Sequence, residues 1–182
     1  VLAERPDALA GLVQAEELSV SLAAHSVTAY CRNGLGVAHD LAGDRAAAAE
    51  QHRAALAWYD AAGSTSGVAY SGARLAMVTD DPDRARVLAV DAVRAAVRTA
   101  DPRAVAQSLE AVATTTGDPS QAARALGAAE ALRAAACDRL AEPQARILRH
   151  RRQALLDALG STSYTVQTRR GAQDPLAEAA RL

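Results

Sequence analysis

Four aspartates recur at a fixed spacing of 37 residues: Asp7, Asp44, Asp81 and Asp118. A fixed period of this length is typical of repeat proteins, in which each copy is one supersecondary unit. An aspartate that precedes a helix accepts hydrogen bonds from the unpaired N–H groups of the first helical turn. Proline, which is favoured as the first helical residue, follows two of these aspartates, at Pro82 and Pro119. The spacing therefore predicts a helix after each aspartate.

Small residues follow the same period. Four residues past each aspartate lie Gly11, Ala48, Ala85 and Ala122, and eleven past each lie Leu18, Ala55, Ala92 and Ala129. Positions seven apart lie on one face of a helix. Because most of these residues are small, we expect each of these helices to pack closely against its neighbours.

The turn residues leave room for one further helix in each period. We predict helices near residues 4–23, 27–42, 45–61, 66–79, 83–99, 103–116, 120–137, 143–159 and 174–181. Gly160, followed by Ser161, ends the eighth of these, because glycine commonly terminates helices. No segment alternates in hydropathy with a period of two, so we predict essentially no strand.

The predicted fold is all-α, an α-solenoid of stacked antiparallel helix pairs. Half of the residues are hydrophobic but only 3% are aromatic and Phe is absent, so the core has to come from closely packed helices. We assign residues 1–142 to the repeats, with a leading half-repeat at 1–25 and repeats near 26–63, 64–100 and 101–138. Residues 143–182 form a C-terminal capping region and tail.

Composition excludes several classes of protein. The net charge is -1, which argues against a basic nucleic-acid-binding module, and without lysine the chain cannot form a Walker-type phosphate loop. Cys31 and Cys137 are isolated, so we expect neither a disulfide framework nor a zinc site. No apolar run reaches about 18 residues. Charged residues among 1–7 argue against a signal peptide, and we expect a cytoplasmic protein.

The chain starts at Val1, without a Met, in a segment with helical character, and we interpret it as an excised piece of a longer protein. The four histidines, His25, His39, His52 and His150, are expected in packing positions rather than as metal ligands or catalytic groups. Asp80, Asp81 and Asp83 lack the spacing of a calcium loop and are expected to form a solvated turn. We predict no catalytic residue, no metal site and no cofactor.

The repeats resemble the tetratricopeptide repeat, a helix-turn-helix unit whose copies stack into a superhelix. The clearest copy, near residues 29–63, has Leu35-Gly36 at the Leu-Gly pair of the motif and Ala48 and Ala55 at its two small positions. His39 replaces the usual Tyr, and His52 stands at a position that is usually aromatic. In the third copy, Glu110 occupies a position that is normally small.

The C-terminal part carries a second resemblance. Residues 121–133, a proline-containing link and residues 152–160 are similar to the end of the repeat region of large actinobacterial regulators. Those proteins join an AAA-like or STAND nucleotide-switch ATPase to such repeats, and many are LuxR-type or antibiotic-pathway transcriptional regulators. In that family an aromatic residue, a glycine and a short acidic helix follow, and Tyr164, Gly171 and the helix containing Glu178 fill these places here. Thr165 to Arg170 depart from the family pattern.

The tetratricopeptide resemblance implies a concave groove lined by the first helix of each pair. Carried over by motif spacing, the groove positions are Tyr30, Asn33, Val37 and Asp40, then Tyr70, Arg74 and Met77, then Gln107, Ala111 and Thr114. We select Tyr30, Asn33, Asp40, Tyr70, Arg74 and Gln107 as candidate partner-binding residues. Such a set suits an extended peptide or a helix of a partner protein. The alternative is a solvated groove in a spacer. Because Asn33 and Tyr70 hold equivalent positions, we expect their side chains to be neighbours.

The resulting expectation is a non-catalytic protein-interaction or sensor domain of a signal-dependent regulator. It would bind a protein, a peptide, a small effector or the regulator's own ATPase module, without direct contact to nucleic acid or membrane. The alternatives are a stand-alone adaptor or assembly scaffold unrelated to transcription and, less favoured, a small-molecule-binding enzyme domain. The basic run Arg146, Arg149, His150, Arg151 and Arg152 is interpreted as a solvated outer face, opposite an apolar stripe of Ile147, Ala154, Leu155 and Ala158.

Overall fold

The computed structural model of the chain describes residues 6–182, and the side chains of residues 9–141 and 144–182. This part contains nine helices and no strand, which confirms the predicted all-α class. The helices are α1 (Pro6–Ser21), α2 (His25–Leu41), α3 (Arg45–Ala61), α4 (Thr65–Val78), α5 (Pro82–Val97), α6 (Pro102–Thr115), α7 (Pro119–Ala135), α8 (Glu142–Gln173) and α9 (Pro175–Ala180).

The periodic aspartates cap helices as predicted. The side chains of Asp44, Asp81 and Asp118 accept hydrogen bonds from backbone N–H groups in the first turns of α3, α5 and α7. Asp101 caps α6 in the same way. The side chain of Asp7 lies outside the described part. Each of these carboxylates satisfies donors that the helix itself leaves unpaired, so the sequence determines where the helices start.

Each helix from α1 to α7 packs mainly against its neighbours in the chain, and α4 also packs against α6. This arrangement is that of a solenoid-like repeat. The small residues of the three repeats are buried at the interhelical contacts: Ala48, Ala55, Ala85, Ala92, Ala122 and Ala129. In the leading half-repeat Gly11 and Leu18 are exposed, so the expected small-face packing is absent from α1.

The C-terminal region has the predicted break at Gly160 and a further helical segment after it. Gly160 lies outside helical geometry, at φ 72° and ψ 157°, and the chain then continues as a second helical segment to Gln173, which the sequence did not predict. This backbone conformation is accessible almost only to glycine. Gly160 therefore divides α8 into a first arm, residues 142–159, and a second arm, residues 161–173.

The second arm lies directly against α7. A Cβ atom at Gly127 in α7 would overlap the backbone of Thr168, and one at Gly171 in the second arm would overlap the backbone of Arg124. Two glycines thus allow the two helix backbones to touch. The short helix α9 follows, and its buried Glu178 accepts a hydrogen bond from Arg124 at 3.0 Å. The segment that departs from the family pattern is therefore a packed helix.

Of the predicted apolar stripe of the first arm, Leu155 is buried, whereas Ile147, Ala154 and Ala158 are exposed. The other buried side chains of this arm include Gln144 and Leu148. Arg151 lies on the buried side, where its guanidinium donates to the carbonyls of Ala113 (2.7 Å) and Thr116 (3.0 Å). These carbonyls belong to the last turn and C-cap of α6, which has no further turn to bond them. Arg151 is thus a capping residue rather than part of a solvated face.

Candidate binding cavity between helices α2, α4 and α8

Among the predicted groove residues, Tyr30 is exposed, and Asn33, Tyr70 and Gln107 contact other helices. Tyr30 on α2 is 72% exposed. Asn33 donates from Nδ2 to Ser71 Oγ at 2.8 Å, so it contacts the residue next to Tyr70. The amide of Gln107 donates to the Tyr70 carbonyl at 3.4 Å across one 37-residue period. Residues one period apart therefore meet at Tyr70 and Gln107. Asn33, which we expected beside Tyr70, bonds instead to the next residue, Ser71.

Tyr70 links α4 to the start of α6. Its hydroxyl donates to Asp101 Oδ2 at 3.2 Å, and the other oxygen of Asp101 caps α6. Burial, with a smaller contribution from the Asp101 carboxylate, raises the pKa of Tyr70. The hydroxyl is therefore protonated at neutral pH and remains a donor. The hydrogen bonds of Tyr70 and Gln107 thus connect α4 of one repeat to α6 of the next.

His52 on α3 lies inside the array beside α2. Its Nδ1 atom hydrogen-bonds to Asn33 Oδ1 at 3.1 Å, and its ring lies against Gly36, where a Cβ atom would overlap it. Burial and then the positive charge of Arg74 lower the pKa of His52 from 6.5 to about 4. The imidazole is consequently neutral at physiological pH. The His52 ring therefore requires the glycine of the Leu35-Gly36 pair, because any side chain at position 36 would overlap the ring.

A chain of polar side chains runs from α4 to the end of α7. Arg74 Nη2 donates to Gln144 Oε1 at 3.0 Å, and Gln144 Nε2 donates to Glu110 Oε2 at 3.0 Å. Glu110 is also bound by two nitrogens of Arg133, which in turn pairs with Asp138. Burial alone would lower the pKa of Arg133, but the hydrogen bonds and negative charges of Glu110 and Asp138 raise it. Glu110, which stands where the motif normally has a small residue, is thus bonded by Arg133 and Gln144 inside the helix array.

Arg74 differs from Arg133 because no carboxylate among the described side chains bonds to it directly. Among the described side chains its hydrogen-bond partner is the neutral carboxamide of Gln144. Burial lowers the pKa of Arg74, and the negative charges of Glu110 and Asp40 oppose this shift only in part. A guanidinium carries five N–H donors, so Arg74 keeps donors for a further acceptor.

Arg74 lines a partly enclosed cavity of about 130 Å³ between α2, α4 and the first arm of α8, called here the α2–α4–α8 cavity. Its apolar walls are Val37, Leu41, Met77, Val78 and Ile147, and its polar groups are Asp40, His52, Arg74 and Gln144. The two charged groups have opposite signs. A concave apolar site with a few convergent polar groups is the usual form of a ligand-binding site.

Of the six predicted site residues, Asp40 and Arg74 line the cavity, whereas Asn33, Tyr70 and Gln107 form hydrogen bonds within the array. Sequence reasoning missed Gln144 and Ile147, because both come from a helix assigned to the capping region. It placed His52 in a packing position, which is correct, without placing it at a cavity. The one sequence signal for this helix is the similarity of residues 152–160 to the end of the repeat region in those regulators. That similarity does not indicate that the start of the helix contacts α4.

The other sequence candidates lie apart from this cavity. In the basic run, Arg152 pairs with Glu130, and Arg146 and His150 are exposed. His39 on α2 does not line the cavity, in contrast to His52. The described residues include no cluster of His, Cys, Asp or Glu that could hold a metal ion. Among the helices described, none combines the length and apolarity needed to cross a bilayer.

Comparisons of the chain with protein-family models, with curated proteins and with solved structures give no match.

Proposed function

We propose that the chain is a non-catalytic interaction and sensor domain of a signal-dependent bacterial transcriptional regulator. The observation that carries the proposal is the α2–α4–α8 cavity, where Asp40 and Arg74 meet apolar walls on the side of the solenoid formed by α2 and α4. The regulatory context comes from the resemblance of the repeats and of residues 121–160 to the repeat region of LuxR-type and antibiotic-pathway regulators.

The chemistry of the cavity favours binding over catalysis. Asp40 offers an acceptor and Arg74 a donor, and neither requires proton transfer to hold a ligand. His52, the usual choice for a general base, has a pKa of about 4 and uses its Nδ1 atom to bond Asn33. A base of such low pKa abstracts protons poorly at neutral pH.

The cavity also offers a route from a bound ligand to α8. Gln144, at the start of the first arm, bonds Arg74 through its oxygen and Glu110 through its nitrogen. A ligand bound to the remaining N–H donors of Arg74 pulls on the same guanidinium that donates to Gln144, so the cavity and α8 influence each other. A sensor needs this kind of differential interaction to shift an equilibrium between two states.

Tyr30 extends the binding face beyond the cavity. It lies seven residues before Val37, on the same face of α2, and it is the exposed member of the predicted set. An exposed tyrosine supplies contact area and a hydrogen-bonding tip for a partner protein.

Site-specific photocrosslinking in the native host tests this proposal. A photoreactive phenylalanine analogue replaces Tyr30 and, as the matched control, the exposed Val87 on α5. The expected result is one protein adduct from position 30, none from position 87, and loss of the adduct in the Asp40→Asn background. An adduct that contains an ATPase or DNA-binding module supports the regulator.

Two results would contradict it. An adduct with a protein that has no link to transcription favours the stand-alone adaptor. Equal labelling from positions 30 and 87 means that α2 is not an interaction surface.

A further inference from the structure

The α2–α4–α8 cavity presents one positive and one negative group beside an apolar chamber. Arg74 supplies the positive group, held on one side by Gln144, and Asp40 supplies the negative group from the neighbouring helix. The remaining polar wall, His52, is neutral. The negative charges of Glu110 and, less strongly, Asp40 act on Arg74, but no ion pair joins Arg74 directly to a carboxylate of the described residues.

A ligand that satisfies both charges is itself charged at both ends. A lone anion at Arg74 would be repelled by Asp40, and a lone cation at Asp40 would be repelled by Arg74, because a like charge close by costs free energy in a partly buried site. A zwitterion places a carboxylate at Arg74 and an ammonium group at Asp40. Its guanidinium–carboxylate contact can be bidentate, which fixes orientation.

The chamber sets the size of the rest of the ligand. An apolar protein cavity of about 150 Å³ holds benzene, a molecule of six heavy atoms. The α2–α4–α8 cavity has a similar volume of about 130 Å³, and its walls are aliphatic or thioether side chains. Because the cavity is only partly enclosed, it does not have to contain the whole ligand: a chain of about four heavy atoms fits between the apolar walls, and the charged head group lies at Asp40 and Arg74.

From this combination we infer that the cavity is a site for a free α-amino acid with a medium-sized apolar side chain, such as leucine, isoleucine or methionine. The inference rests on the proposed sensor function and names the effector class of that site. It assigns Arg74 to the ligand carboxylate, Asp40 to the ligand ammonium group, and Val37, Leu41, Met77, Val78 and Ile147 to the side chain.

Isothermal calorimetry on the unmodified chain tests the inference with a matched set of ligands. L-Leucine is compared with L-leucinamide, which lacks the carboxylate, with 4-methylpentanoate, which lacks the ammonium group, and with glycine, which lacks the side chain. We expect L-leucine, isoleucine or methionine to bind. Each truncated ligand loses one of the three contacts and should bind at least about tenfold more weakly, a difference of about 1.4 kcal/mol.

Two variants assign the groups. Arg74→Gln should remove the preference for leucine over leucinamide, and Asp40→Asn should remove the preference for leucine over 4-methylpentanoate. The controls are Asp91→Asn and Arg94→Gln, which alter an exposed ion pair on α5 and should leave leucine affinity unchanged. The ligand series itself needs no substitution, so a variant that fails to fold does not remove the test.

The inference is overturned if none of the apolar amino acids binds at about 10 mM, a concentration that detects even weak complexes. It is also overturned if 4-methylpentanoate equals leucine, or if a leucine-containing peptide blocked at both ends binds while free leucine does not. The photocrosslinking at Tyr30 is performed without added amino acid. If a partner is captured at position 30 but calorimetry detects no amino-acid binding, only the amino-acid inference is wrong. If an amino acid binds but no partner is captured, the proposed interaction surface is wrong.

Discussion

The first helix pair and the α6–α7 pair use the same repeat positions but differ in burial. Leu18 in α1 is 60% exposed, whereas Ala129, three periods later in α7, is completely buried. All residues from Ala104 to Ala113 in α6 are buried, while Leu22, Val27 and Tyr30 near the α1–α2 turn are exposed. In the described structure α6 contacts α4, α5 and α7 and also the C-terminal helices, but α1 packs mainly against α2. A repeat position determines which way a side chain faces, and neighbours on both sides determine whether it is buried.

The largest difference in stability should come from breaking the buried ion pair of α6 rather than the partly exposed ion pair of α1. Removing the carboxylate in Glu110→Ala leaves Arg133 without its main partner inside the array, and we expect a loss of about 3–5 kcal/mol in the free energy of unfolding. Glu16→Ala removes a partly exposed pair with Arg32 and should cost about 1 kcal/mol or less. Urea denaturation measures both. Equal losses would show that burial does not distinguish the two regions.

Two glycines should respond in opposite directions to the same substitution. Gly127→Ala forces a Cβ atom into the backbone of the second arm of α8, and we expect a loss of about 3 kcal/mol, the upper end of the usual cost of overpacking. At Gly11 in α1 a Cβ atom meets nothing within 4 Å, so Gly11→Ala should stabilise the helix by about 0.5–1 kcal/mol. Thermal melts of the two variants provide the measurement. If Gly127→Ala melts like the unmodified chain, α8 does not lie against α7 as described.

The small faces of the middle repeats should reject larger side chains. Ala48→Leu and Ala85→Leu add three heavy atoms at buried interhelical contacts, and we expect each to cost about 1–3 kcal/mol. Ala57→Leu in α3 is the control, because Ala57 is exposed. Chemical denaturation of the three variants tests the repeat register. An Ala48→Leu variant as stable as the Ala57→Leu control would be inconsistent with that register.

The smallest effect expected is a dependence of stability on pH through His52. The folded protein keeps His52 neutral down to a pH of about 4, whereas the unfolded chain takes up a proton near the ordinary pKa of 6.5. As the pH falls, the unfolded state therefore binds more protons, and stability decreases. Between about pH 7 and pH 5.5 we expect this group to account for about 1 kcal/mol.

His52→Gln should reduce that slope, and His150→Gln, at an exposed position on α8, should leave it unchanged. Denaturation curves of the three proteins at several pH values give the slopes directly. A slope that persists in His52→Gln would assign the pH dependence to other groups.

The candidate site was only partly predictable from the sequence. Motif spacing placed Asp40 and Arg74 on the inner helices, and both line the cavity. Spacing alone did not show that Asn33, Tyr70 and Gln107 are engaged in contacts between helices. A motif defines the direction of a side chain relative to its own helix, while hydrogen bonding depends on which groups the neighbouring helix presents.

The sequence by itself determined the local features of this protein: the helices, their aspartate caps at Asp44, Asp81 and Asp118, and the small faces repeated every 37 residues. These features depend on residues close together in the chain, so their spacing is sufficient to predict them. Only the tertiary structure decided that the segment after Gly160 is a helix packed on α7, that Arg151 caps α6, and that Gln144 meets Arg74. Arg74 and Gln144 are separated by 70 residues, and no local preference encodes their contact. It arises because α8 packs along α7 and thereby brings its first turn to α4.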